Sequence, residues 1–420
     1  MVEKGKYSVD KLPTHKLGLH VLIGLVAGVI TGLLLPYITP LAATISDWLA
    51  LPGYIFLNLI RMIVLPLVLT SVFLGVSGCP AGTAPKLGAA AILYFSLTTL
   101  VAITIGMGLM MYLHPGIGFS FGSIVPDTTT APLFNQMVSP AKVIANFIPV
   151  NIFASLSKGD MLATVIFAAF CGAAALALPA QYKTPLVTLA ESVQHLTMVV
   201  VGWAMALAPL AVFGLVCNAL VTLGHGTLQA MASYMLTILL GLAGVLAMYI
   251  LLLVCVGRMP ARQFFAAMRP VQLVAFSTSS SAATMPLTLN TVETKLGVSP
   301  AVSRMIIPLG TTINMDGTAL YQAAATVFIA QAFAIDLSHG ELLLLVFTAL
   351  AAAIGTPGTP GVGIVLLASI LMTVGVPAEG IALIVGVDRV LDMCRTVINV
   401  TGDAVASIVL ARLLGRPSHS

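Results

Sequence analysis

Apolar stretches long enough to cross a bilayer recur along the whole chain, at roughly residues 18–36, 53–77, 87–113, 161–179, 197–222, 231–257, 299–334 and 378–412. A hydrocarbon core of about 30 Å needs about 20 apolar residues in a helix. Backbone groups find no water there, so spans of this kind read as helices. Two further segments, about 260–292 and 341–374, are apolar but broken in the middle by small and polar residues. Only 8% of the 420 residues are charged, against roughly 25% in soluble domains. The pattern predicts an all-α polytopic membrane protein with eight spans and two interrupted segments.

Charge placement orients such a chain. Lys4, Lys6, Lys11 and Lys16 precede the first span, and Arg412 and Arg416 follow the last. By the positive-inside rule both termini are cytoplasmic, which agrees with an even number of full spans. No stretch reads as a cleaved signal peptide. The net charge of +4 is scattered and offers no patch for nucleic acid. The five cysteines (Cys79, Cys171, Cys217, Cys255, Cys394) form no CxxC pair and read as small packing residues. The seven histidines show no metal-binding spacing.

The last span carries Asp388, Asp392, Arg395, Asn399 and Asp403. On a helix these side chains share an arc of about 80°. A charge at the centre of a bilayer costs at least ~2.5–3.5 kcal/mol, and such charges mark substrate or ion pathways. An acid and a base three positions apart match an amine and a distal carboxylate on one small ligand. The same spacing also allows an internal Asp392–Arg395 ion pair.

The region 275–403 repeats one unit: a broken apolar segment, then a long helix with a polar face. The first break lies in AFSTSSSAATMP, followed by PLGTTINMDGTALYQ; the second lies in AIGTPGTPGVG, followed by VDRVLDMCRTVINVTGD. Ser279, Ser280 and Ser281 offer hydroxyls to unpaired backbone. Gly355, Gly358, Gly361 and Gly363 with Pro357 and Pro360 force an irregular turn. Irregular backbone at membrane depth has to be buried in protein or line a cavity. Each segment therefore reads as a re-entrant hairpin, and paired interruptions point to a transporter site. Asn314-Met315-Asp316-Gly317-Thr318 predicts local unwinding that frees carbonyls beside a carboxylate. These are hard oxygen ligands suited to an alkali cation.

The serine-rich segment 275–286, the Asn314–Thr318 motif, the hairpin 354–363 and the run from Asp392 to Asp403 resemble the dicarboxylate/amino acid:cation symporter family. That family includes archaeal aspartate transporters and animal excitatory amino acid transporters. The resemblance runs from the first span to residue 412. It implies eight transmembrane helices plus two re-entrant helical hairpins in inverted repeats, assembled as a homotrimer in membrane lipid. It implies a scaffold of residues 1–80 and 119–228, and a transport domain of residues 81–118 and 229–420 that moves like an elevator. By the same resemblance Asp392 binds the substrate amine and Arg395 the distal carboxylate, while Thr318, Thr396 and Asn399 line the site. Ser279 and Ser281 would hold the α-carboxylate, and Thr359 and Gly363 would close over it. Three Na⁺ sites are implied: Gly310, Asn314, Asn399 and Asp403; Thr312, Ala353, Ile354 and Thr356; Phe95, Thr98, Thr99, Asn314 and Asp316.

Departures from the family pattern are few. Phe95 stands where the archaeal proteins have tyrosine, and Ala353 where they have serine, but carbonyls are the implied ligands at both. Ser279 replaces an archaeal arginine, and an arginine appears at 389 instead. Arg389 would either balance Asp392 or pair with Asp388 or a hairpin carbonyl. Gln322 replaces the glutamate of proton-coupled animal members, and a glutamine carries no proton at physiological pH. This favours Na⁺ coupling; proton coupling and C4-dicarboxylate transport are the alternatives. A dicarboxylate carrier has no use for Asp392, and a neutral amino-acid carrier lacks Arg395. A channel would show a continuous polar stripe without the acid–base pair. A serine hydrolase would need a base beside Ser279–Ser281, and the polar core contains no histidine. Short loops and the lack of a usable glycosylation site suggest a prokaryotic inner-membrane protein.

Overall fold

The computed structural model describes residues 14–78, 85–117, 148–158, 161–223, 226–354, 356 and 358–414. Lys4, Lys6, Lys11, Cys79, Gly355, Pro357 and Arg416 lie outside the described residues, as does the whole of the 119–147 segment. Every regular element described is helical. They are α1 (Thr14–Ile38), α2 (Ala42–Ser77), α3 (Pro85–Leu113), α4 (Ile152–Lys158), α5 (Met161–Ala177), α6 (Ala180–Leu223), α7 (Gly226–Cys255), α8 (Ala261–Thr278), α9 (Ser281–Thr294), α10 (Pro300–Ile313), α11 (Asp316–Ala332), α12 (His339–Ile354), α13 (Val362–Thr373), a 3-10 turn (Ala378–Gly380) and α14 (Ile381–Leu413).

Among the described residues four helical stretches are long and apolar enough to cross a membrane: Leu19–Ile38, Leu87–Leu113, Ala180–Thr222 and Leu228–Cys255. Helices α2 and α14 have comparable length, with 36 and 33 residues. Two spans begin earlier than the apolar pattern indicates. Helix α6 starts at Ala180, not near 197, because Lys183, Glu191 and His195 break the apolar run without breaking the helix. Helix α2 starts at Ala42 for the same reason, with Ser46 and Asp47 in its first turns.

The interruptions fall where the sequence places them. The 299–334 stretch is two helices, α10 and α11, separated at Asn314 and Met315. Asn314 has φ −91° and ψ 83°, outside the helical region. Helices α8 and α9 part at Ser279, which adopts a left-handed conformation with φ 51°. Ser280 then caps α9, its hydroxyl oxygen accepting from the Ala283 N–H at 3.1 Å. Helix α12 ends at Ile354 and α13 begins at Val362, and Gly361 takes φ 82°, which a side chain would disfavour.

The two interruptions meet. The Gly358 carbonyl accepts from the Ala282 N–H at 3.0 Å and from the Ser280 hydroxyl at 2.7 Å. Around them, α14 packs against α7, α8, α10 and α11, and α11 packs against α3. A separate set of contacts joins α1, α2, α5 and α6. Gly28 of α1 lets that packing close: a Cβ there would lie 2.6 Å from the Phe213 carbonyl oxygen.

Candidate functional site

The polar stripe of α14 faces inward along its whole length. Asp388, Asp392, Arg395, Asn399 and Asp403 are all buried, with Arg395 at 0% exposure. Charges so far from water need partners, and the structure shows them. Arg395 Nη2 donates to Asp392 Oδ1 at 3.0 Å and to Asp388 Oδ1 at 3.1 Å. Its guanidinium stacks over the Tyr321 ring, 3.6 Å from the centroid. Asp392 Oδ2 also accepts from the Gly361 N–H at 3.1 Å, which ties the start of α13 to α14. Asp388 is thus the partner of Arg395 and not of Arg389. Arg389 Nη1 lies 3.7 Å from Asp392 Oδ2, which favours the charge-balancing role of the two considered for it.

Several donors remain unused. Arg395 Nε and Nη1, all three Arg389 guanidinium nitrogens and the Ser279 hydroxyl are buried and find no hydrogen-bond partner among the described residues. Buried donors of this kind are costly unless something accepts from them. Gly363 leaves room beside the arginine: a Cβ there would lie 3.3 Å from Arg395 Nη1. Thr318 and Asn399 are joined, the Asn399 amide nitrogen lying 3.3 Å from Thr318 Oγ1. The Thr396 hydroxyl bonds back to the Asp392 carbonyl at 2.8 Å. Thr359 turns elsewhere, its hydroxyl 3.7 Å from Met198 Sδ on α6. Ser281 opens α9 and is buried.

The oxygen-rich residues gather in two places near the start of α11. At the first, Asn314 Nδ2 donates to Asp403 Oδ1 at 2.9 Å and to the Asn399 carbonyl at 3.3 Å. Gly310 lies against the Asp403 carboxylate, since a Cβ there would be 2.8 Å from Asp403 Cγ. Asn399 Oδ1 accepts from the Gly317 N–H at 2.8 Å, which pins the unwound turn. At the second, Asp316 accepts from the Thr99 hydroxyl at 2.5 Å and from the Tyr249 hydroxyl at 2.6 Å. Thr98 donates to the Phe95 carbonyl at 3.1 Å. The side-chain oxygen of Asn314 is buried and finds no donor among the described residues.

Thr312, Ala353, Ile354 and Thr356 form a looser group. They sit at the C-terminal ends of α10 and α12, where unpaired carbonyls carry the negative end of the helix dipole. The Thr356 hydroxyl bonds back to the Ala352 carbonyl at 2.6 Å. Gly358 sits beside the Thr311 carbonyl oxygen, 3.1 Å from where its Cβ would be. Among the described residues Thr312 bonds only back to its own helix, to the Leu309 carbonyl at 2.9 Å and the Pro308 carbonyl at 3.5 Å.

The sequence placed Asp388 on the polar stripe but did not pair it with Arg395, and it gave no role to Tyr321 or Tyr249, which contact the buried charges. A tyrosine inside an apolar span needs a partner for its hydroxyl, and that signal was present at Tyr249.

Buried paired charges, helices interrupted near their middles and two joined interruptions lie together within an apolar, all-helical fold. Comparison with known proteins agrees. Residues 17–413 match the model of the sodium:dicarboxylate symporter family. The chain is 35% identical over 404 residues to the proton/sodium-glutamate symport protein of Bacillus subtilis (strain 168), covering 95% of this chain and 93% of that one. It is 33% identical over 408 residues to the proton/glutamate-aspartate symporter of Escherichia coli (strain K12), covering 94% and 92%. It is also 33% identical over 400 residues to the neutral amino acid transporter B(0) of Bos taurus, covering 88% and 74%. The chain belongs to the sodium:dicarboxylate symporter family. It is a membrane transport protein, not an enzyme.

Proposed function

We propose that this protein is a secondary active symporter of acidic amino acids, driven by Na⁺. The observation that carries the reading is the pairing of Asp392 with Arg395, whose Nε and Nη1 remain free to donate to a carboxylate. A substrate ammonium replaces Arg395 as the partner of Asp392. The released guanidinium then takes the distal carboxylate as a planar fork. Ser279, Ser281, Thr318, Thr359, Gly363, Thr396 and Asn399 complete the pocket. Because Asp392 also accepts from Gly361 N–H, binding at Asp392 is felt directly by the second hairpin.

Three Na⁺ ions occupy the sets named from the resemblance. Two of those sets contain a buried carboxylate, Asp403 or Asp316, among neutral hydroxyl, amide and carbonyl oxygens, a hard donor set. In the assembled picture the chain forms eight spans and two re-entrant hairpins in inverted repeats. The scaffold of residues 1–80 and 119–228 trimerises, and residues 81–118 and 229–420 carry the cargo as an elevator. The bacterial relatives support a prokaryotic inner membrane, and the positive-inside rule gives both termini a cytoplasmic position.

Proton coupling is the second reading, because the names of both bacterial relatives include the proton. Gln322 supports Na⁺ instead: its amide nitrogen lies 3.5 Å from the Gly363 carbonyl, and an amide cannot ferry a proton. The decisive experiment titrates aspartate against purified protein at several Na⁺ concentrations with choline as replacement, and repeats it from pH 6 to 8. Affinity should rise steeply with Na⁺ and hold across pH. Linkage requires aspartate to tighten Na⁺ binding by the same factor. Strong binding in choline, or uptake driven by a pH gradient alone, would replace Na⁺ with protons.

A further inference from the structure

Tyr249 lies on α7, 67 residues before Asp316 in sequence, and is 1% exposed. Its hydroxyl donates to Asp316 Oδ2 at 2.6 Å, while Thr99 holds Oδ1 at 2.5 Å. The carboxylate is thus clamped on both oxygens by hydroxyls from two different helices, α3 and α7. A third helix fits around the clamp. Gly402 of α14 leaves the space the Tyr249 hydroxyl fills, and a Cβ at 402 would also lie 2.6 Å from Asn314 Nδ2. Tyr249 therefore stands where α7, α11 and α14 converge, between the Asp316 and Asp403 groups. Beside it Asn314 Oδ1 is buried and without a donor among the described residues.

We propose that Tyr249 is a positioning residue that sets the ion selectivity of the Asp316 cation site. The inference rests on the reading of that site as a Na⁺ site. A carboxylate free to turn offers a cation one oxygen or two; one held by a hydroxyl on each oxygen has a single orientation. Thr99 Oγ1 and Tyr249 Oη each donate their proton to Asp316, which leaves their oxygen lone pairs turned away from it. Selectivity among hard cations follows cavity size, ligand number and rigidity. A fixed carboxylate defines one cavity size, whereas a turning one adapts to several ions. The hydroxyl also keeps Asp316 paired when no ion is bound, which spares the cost of a bare buried charge.

The test replaces one oxygen atom. Tyr249→Phe keeps the ring that packs in the core and removes only the hydroxyl. Aspartate binding to the purified full-length protein is measured calorimetrically at increasing Na⁺ and, separately, Li⁺, for wild type, Tyr249→Phe and Asp316→Asn. The expected result is a rise of about tenfold in the Na⁺ concentration for half-saturation in Tyr249→Phe, the scale of one hydrogen bond to a charged group. Li⁺ should lose less, so the preference between the two ions narrows, while aspartate affinity at saturating Na⁺ stays at the wild-type value. Unchanged Na⁺ dependence in Tyr249→Phe, with loss of it in Asp316→Asn, overturns the role of Tyr249 and leaves the cation site standing. If neither variant changes the Na⁺ dependence, the Na⁺ reading of the site itself falls. A Tyr249→Phe protein that fails to bind aspartate even at saturating Na⁺ makes the tyrosine a structural strut and overturns the proposal.

Discussion

Helices α1, α2 and α6 follow one set of rules, and helices α8 to α14 another. The first group is long and unbroken, and it packs backbone against backbone through residues such as Gly28. Its outer faces expose Leu22, Ile23, Val26, Ile30, Trp48 and Trp203. The second group is broken at Ser279, Asn314 and 355–361, and it hides polar groups inside. Every buried charged side chain among the described residues lies on α11 or α14: Asp316, Asp388, Arg389, Asp392, Arg395 and Asp403. The contrast teaches why the breaks exist. A continuous helix spends its carbonyls and amides on itself, whereas an unwound turn frees them for other partners. Gly317 N–H on Asn399 and Gly361 N–H on Asp392 are two amides freed in this way.

If the comparison is sound, substitutions in the two groups fail differently. The largest expected effect is Arg395→Ala. It removes the cation that hydrogen-bonds both Asp388 and Asp392 and the proposed anchor of the distal carboxylate. Aspartate affinity should fall at least tenfold, given ~1.5–3 kcal/mol for a hydrogen bond to a charged group. Serine, which has no distal carboxylate, should lose less. Equal losses for aspartate and serine by calorimetry would remove Arg395 from that role. Asp392→Asn should come next, weakening aspartate by roughly tenfold while Na⁺ binding remains measurable. Normal aspartate affinity in this variant would mean the amine is held elsewhere.

A different failure is expected at Gly28. Its Cβ would press on Phe213 backbone, 3.2 Å from the Cα. Gly28→Ala should lower thermal stability of the purified protein by about 1–3 kcal/mol, the usual cost of overpacking. Aspartate and Na⁺ affinities should stay at wild-type values. A clear shift in affinity would break the division between the two groups.

Much of this was legible in the sequence, for identifiable reasons. Helix breaks were readable because serine runs, Asn-Met-Asp-Gly and Gly/Pro clusters have local causes. The buried stripe on α14 was readable because spacings of three and four keep one face. Pairing within the stripe was not. Asp388 has Arg389 next to it and Arg395 seven positions away, and it bonds the distant one. Helical side chains lean toward the N-terminus, so Arg395 reaches back to both acids, while Arg389 approaches Asp392 only to 3.7 Å. Within Ser279–Ser281, the run could not say which serine caps α9; the structure selects Ser280. Tyr249 escaped because its partner Asp316 is brought to it by tertiary packing alone.

The smallest effect is expected where charge lies in the broken half without burial. Glu293 and Arg304 pair at 3.2 Å between α9 and α10, with side-chain exposures of 19% and 68%. Glu293 Oε1 also accepts from Ser303 Oγ at 2.8 Å. Water screens such a pair, and exposed ion pairs contribute about 0–1 kcal/mol. Glu293→Gln keeps the shape and one acceptor for Ser303 while removing the charge. Transport rate, aspartate affinity and Na⁺ dependence should therefore match wild type within about twofold, because 0.4 kcal/mol corresponds to about that factor. The substitution separates two explanations of the polar half. If charge anywhere in α8–α14 served transport, uptake into proteoliposomes would drop severalfold. If only buried charge serves it, as the clustering on α11 and α14 indicates, uptake will not change.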